Sequence, residues 1–102
     1  MSWLYNPNSI NILPRFQVGD LLTNLELGIV AYLIERRFIG IKNYSYQESK
    51  TMLNGRAPSM ETWYYKFKCV GVQEPLLAEW KAEFEVEDII VKGAWKYIFK
   101  GG

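Results

Sequence analysis

The sequence predicts an all-β fold: a small, partly open barrel of five to six antiparallel strands over residues 15–100, behind an irregular N-terminal arm at 1–14. Three observations carry that expectation. Segments 61–70 and 80–87 alternate apolar and polar side chains at period two. Segment 28–34 is a short, nearly unbroken apolar run with Ile29, Val30 and Ile34, as expected of a strand buried on both faces. Turn chemistry at Gly19-Asp20, Asn54-Gly55 and Lys92-Gly93 punctuates these runs.

In the arm, Trp3, Leu4 and Tyr5 stand among asparagines and prolines. Asn6-Pro7 and Leu13-Pro14 favour extended or turn backbone over helix. Two outcomes are open for these aromatic and apolar side chains: packing back on the barrel, or docking on a neighbouring subunit. Segment 16–22 then reads as a turn feeding a strand, and Asn24 to Glu26 as a second turn. A strand at 28–34 and another at 38–46 are expected, with Glu35-Arg36-Arg37 at the hairpin tip between them. Residues 47–60 are polar, contain Asn54-Gly55 and Pro58, and read as a long loop, either functional or mobile.

Segment 61–70 gives the clearest strand. Trp63, Tyr65, Phe67 and Cys69 share one face, and Tyr64, Lys66 and Lys68 the other. After a turn at 71–75, Trp80, Ala82, Phe84 and Val86 oppose Lys81, Glu83, Glu85 and Glu87 in the same manner. A helix is the rival, because Leu76, Leu77, Trp80 and Phe84 also sit at helical spacing behind Pro75. The strand is preferred for its unbroken alternation, with Lys66 and Lys68 expected opposite the glutamates. Trp95, Tyr97 and Phe99 alternate once more before Gly101-Gly102, which reads as a flexible end.

Composition removes several function classes. The chain has 102 residues, enough for one domain, and 49% of them are hydrophobic, so it is not a disordered tail. Histidine is absent, which removes the commonest general base and zinc ligand and any Ser-His-Asp or Cys-His arrangement. The single Cys69 rules out an internal disulfide and, lying in the apolar register, reads as an inert thiol. Glu83, Glu85 and Glu87 alternate on a face read as solvated, where nothing supplies the desolvation that acid–base catalysis needs. No phosphate-binding glycine loop is present. The expectation is therefore a protein that is not an enzyme, with no cofactor, metal or small-molecule substrate. No apolar run reaches the roughly 18 residues needed to span a bilayer. The first residues lack the pattern of a signal peptide, so a cytoplasmic protein without membrane contact is expected.

Segments 16–22 and 28–30, then 63–67, Trp80 and 85–90, run close to the pattern hydrophobic-x-x-Gly-Asp-hydrophobic, Gly-hydrophobic-Val, Tyr-x-Val-x-Phe, Glu-x-x-Leu. This pattern resembles the small SH3-like barrels, with nucleic-acid-associated KOW modules among them, and is most similar to short phage-encoded members. The resemblance covers about half the chain and implies an SH3-like barrel fold. Four tryptophans and seven tyrosines are more than a barrel of this size readily hides. Trp, Tyr and Arg dominate interface hot spots. A protein-interaction module or homo-oligomer is therefore the leading expectation: a phage-encoded assembly component, of the host cytoplasm or the virion, or a factor that binds a host protein. The candidate partner-binding residues are Trp3, Leu4, Tyr5, Tyr64 and Trp95. The alternative is an RNA or single-strand-binding barrel using Arg36, Arg37, Lys42 and Tyr44, although the net charge is only +1.

Overall fold

The computed structural model describes residues 13–70 and 80–101. Strands β1 (Leu21–Asn24), β2 (Ile29–Ile39), β3 (Thr62–Val70), β4 (Lys81–Ala82) and β5 (Lys96–Phe99) form one antiparallel sheet in the order β4-β3-β2-β1-β5. Helices α1 (Tyr46–Met52) and α2 (Glu83–Val91) complete the described fold. The chain is thus mostly β, but the sheet is open, with β4 and β5 at its edges.

The Gly19-Asp20 turn forms as its sequence requires. Gly19 has φ +98°, the Asp20 N–H donates to the Gln17 carbonyl, and the Asp20 carboxylate accepts from the Gln17 N–H at 2.9 Å. Asn24 closes the β1–β2 turn by accepting the Leu27 N–H on its side-chain oxygen and the Gly28 N–H on its carbonyl.

The expected break at Glu35-Arg36-Arg37 is corrected: β2 runs through it as one 11-residue strand. A bulge between Leu33 and Glu35 resets the register, so Arg36 pairs with Tyr65 on the inner face and Arg37 with Tyr64 on the outer. Arg36 is tolerated inside because its guanidinium donates to the Phe16 carbonyl at 2.9 Å and lies 5.4 Å from the Trp63 ring centroid.

The segment read as the end of a strand and a loop holds α1. Ser45 and Glu48 make a reciprocal capping box: the Glu48 N–H donates to Ser45 Oγ at 3.1 Å, and the Ser45 N–H donates to Glu48 Oε1 at 2.8 Å. Met52 and Leu53 pack with Ile39, Tyr64 and Trp80 in a small second core.

The strand expected over 80–87 is also corrected. Only Lys81 and Ala82 are strand, and α2 begins at Glu83. Val86, Ile89 and Ile90 recur at helical spacing and pack on the main core of Phe16, Leu22, Ile29, Ala31, Leu33, Tyr65, Phe67 and Trp95. Phe84, two residues from Val86, points away from it, as a helix requires. Glu83 and Glu85 occupy the first turn, where the helix dipole favours carboxylates. Glu85 accepts the Ala82 N–H at 2.8 Å, and Glu83 accepts the Arg15 N–H at 3.0 Å and the Tyr65 hydroxyl at 2.5 Å. The expected pairing of Lys66 and Lys68 with these glutamates does not occur. The helix packs on the inner face of β3, whereas the lysines alternate outward with Tyr65 and Phe67.

Gly101 is not a free end either. Its N–H donates to the buried Asp20 carboxylate at 2.7 Å, and the Tyr97 hydroxyl donates to the same carboxylate. A Cβ at Gly101 would lie 2.6 Å from the Gly19 Cα and 2.7 Å from the Asp20 nitrogen, so the chain passes where only glycine fits. The arm residues 1–12 and the turn expected at 71–75 lie outside the described residues.

Candidate functional site

A groove of about 550 Å³ lies between the α1–β3 connection, residues 53–61, and the start of α2. Its apolar wall is formed by Met60, Tyr64, Trp80 and Phe84, with Arg56, Lys81 and Glu85 supplying charge. Three local devices position these side chains. The first is the Asn54-Gly55 turn, with φ +56° and +81°, and the Ser49 hydroxyl donating to the Arg56 carbonyl at 2.9 Å; together they hold the connection against α1. The second is the outward register of Tyr64 on β3, which sets its ring at the groove floor. The third is the abrupt strand-to-helix change at Ala82, which turns Phe84 outward.

Phe84 is 57% exposed and Met60 47%, so the groove presents two large apolar side chains side by side with its aromatic lining. The groove's electrostatics are lopsided. Among the described residues Glu85 is the one carboxylate in its lining, and it already accepts the Ala82 N–H, whereas Arg56 and Lys81 each bring a positive charge. Burial, and then the Glu85 carboxylate, hold the Tyr64 hydroxyl above its ordinary value of 10.0, against the opposing influence of Arg56. Tyr64 therefore stays protonated near neutrality and presents its hydroxyl as a hydrogen-bond group.

The sequence-expected partner residues divide. Tyr64 is in the groove. Trp95 is 2% exposed in the main core, so its ring is not available to a partner. Trp3, Leu4 and Tyr5 lie outside the described residues. The basic set does not converge on one patch: Arg36 is turned inward, Arg37 is outward and paired with Glu35 at 3.2 Å, and Lys42 and Tyr44 are exposed on the β2–α1 connection. Sequence reasoning missed Arg56 and Met60 by reading their segment as an undifferentiated loop. It missed Phe84 by assigning it to the interior of a strand.

Among the described residues no group of three or more Cys, Asp or Glu side chains is placed to hold a metal ion. No helix among them is long and apolar enough to cross a membrane. Comparison with family models, curated proteins and solved structures found no match.

Proposed function

We propose that this chain is a non-catalytic protein-interaction module whose groove takes an apolar side chain of a partner segment, flanked by acidic residues. The observation that carries this reading is that exposed Phe84 and Met60 line one groove with Tyr64 and Trp80, together with Arg56 and Lys81. Aromatic anchors around a concave site are where binding energy concentrates. The two cations favour carboxylates beside the anchor, and such rim charges act chiefly on association rate and specificity. The absence of histidine and the structural engagement of Glu83, Glu85 and Asp20 in backbone and tyrosine hydrogen bonds support a role without catalysis. The resemblance to SH3-like barrels supports a phage-encoded assembly component or a host-protein-binding factor as the setting for such a module.

The test is selection from a displayed peptide library on the native protein, with counter-selection on Phe84→Ala. The reading expects enriched peptides with one bulky apolar residue beside Asp or Glu, each losing binding to Phe84→Ala. Enrichment of peptides that bind both proteins equally, or of none, overturns it.

A further inference from the structure

The second surface is the outer face of the sheet, opposite α2. Cross-strand partners share a face, so the register places Lys68, Tyr32 and Leu21 in one row across β3, β2 and β1. The next row is Val70, Val30, Thr23 and Lys96, reaching β5. On the other side of Lys68 lie Lys66 and Arg37, with Glu35 between them as the cross-strand partner of Lys66. Lys66 and Lys68 stand two residues apart, roughly 7 Å along the strand.

Among the described residues this face carries Lys66, Lys68, Lys96 and Arg37 against two carboxylates: Glu35, which Arg37 engages at 3.2 Å, and Glu48 of α1, which accepts the Ser45 N–H and lines one cavity with Lys66, Arg37 and Trp80. Neither Lys66 nor Lys68 has a carboxylate partner among the described residues. The acidic side chains Glu83, Glu85, Glu87 and Asp88 all sit on α2, packed on the other face. On α2 the carboxylates of Glu87 and Asp88 are paired with Arg15 and Lys92, whereas the outer face is left net basic although the whole chain is close to neutral. The basic side also offers rings. Tyr32 lies between Lys68 and Leu21, and Trp80 stands with its ring centroid 6.0 Å from Lys66 Nζ. Ile34 and Val70 add exposed apolar surface beside them.

We propose that this outer face, centred on Lys66, Lys68 and Tyr32, is a platform for a single-stranded nucleic acid. Lysines spaced along one strand track a phosphate backbone, and a flat sheet with rings lets unpaired bases stack. A duplex hides its bases from such a surface, so the single strand is the fitting ligand. The surface meets the peptide groove at Trp80 and at Tyr64, the cross-strand partner of Arg37, but Lys66, Lys68 and Tyr32 lie outside the groove lining, so the inference stands apart from the protein-binding reading.

The test is fluorescence anisotropy of a labelled oligothymidylate and of a duplex of equal length, at about 50 mM and about 200 mM salt. Binding to the single strand is expected to be the tighter, and to weaken as salt rises. Lys66→Gln with Lys68→Gln is expected to lower the slope of log affinity against log salt by about 1.4, at roughly 0.7 for each phosphate that is no longer neutralised. Tyr32→Leu is expected to weaken binding about tenfold without changing that slope. Arg15→Gln with Lys92→Gln, which removes equal charge beside α2, is expected to leave binding unchanged. Unchanged urea midpoints show that each variant is folded. No binding at the lower salt, preference for the duplex, or equal loss in both lysine and control variants overturns the proposal. So does a lysine variant that spares the oligonucleotide but weakens a selected peptide, because the face then belongs to the protein partner.

Discussion

Phe84 and Val86 separate a helix from a strand by stability alone. In a strand both side chains lie on the inner face, and truncating the buried Phe costs the more, about 3–5 kcal/mol. In α2 the order reverses. Val86 is 0% exposed, so Val86→Ala removes two buried carbons, about 1.6 kcal/mol, and leaves a small cavity worth about 1 kcal/mol more. The better helix propensity of Ala returns about 0.5 kcal/mol, for a net loss of about 2 kcal/mol. Phe84 keeps over half of its surface in water, so Phe84→Ala costs at most about 1 kcal/mol. Urea unfolding followed by tryptophan fluorescence reads the pair. With a slope of about 2 kcal/mol/M, Val86→Ala lowers the midpoint by about 1 M and Phe84→Ala by half of that or less. A Phe84→Ala loss clearly larger than that of Val86→Ala refutes the reasoning, and with it the outward placement of the groove's main anchor.

Three further outcomes follow from the surroundings of Asp20 and of two phenols that donate to carboxylates, Tyr65 and Tyr97. Gly101→Ala drives a Cβ into the backbone of Gly19 and Asp20, and should lower stability by about 1–3 kcal/mol in the same urea assay. Tyr97→Phe leaves the buried Asp20 carboxylate, among the described residues, with the Gln17 and Gly101 N–H donors, at an expected cost of about 1.5–3 kcal/mol. Burial, followed by the Glu83 and Asp20 hydrogen bonds respectively, raises Tyr65 and Tyr97 far above the ordinary 10.0. In both cases the folded-state value exceeds the unfolded one, so stability is full below pH about 10 and falls as pH rises past it. Ultraviolet titration should find these two phenols protonated until the chain unfolds; ionisation of all seven tyrosines near the ordinary value, with the fold intact, would contradict it.

Much of the sheet was legible because its signals are local. The alternation over 61–70 put Trp63, Tyr65, Phe67 and Cys69 inward as observed, and Gly19-Asp20 formed the turn that its residue types require. The failures have separate causes. Over 80–87 the glutamates that completed the alternation are N-terminal helix charges. The helical repeat that decides the fold, Val86 with Ile89 and Ile90, lies partly beyond that window. At Glu35-Arg36-Arg37 a bulge and a long-range bond to the Phe16 carbonyl keep a charged run inside a strand, which no local pattern announces. The helix α1 carried its own announcement, Ser45 three residues before Glu48, obscured by the β-prone tyrosines on either side of Ser45. The groove was the least legible part, because it joins the 53–61 connection to α2 across the edge of the sheet.

Amide chemical-shift mapping with the most enriched selected peptide tests the binding groove most directly. Stepwise addition to isotope-labelled protein should move the resonances of Arg56, Met60, Tyr64, Lys81 and Phe84, and leave those of Tyr32 and Lys68 in place. Shifts confined to the outer sheet face, or scattered with no focus at the start of α2, would contradict the assignment of this groove as the protein-binding site.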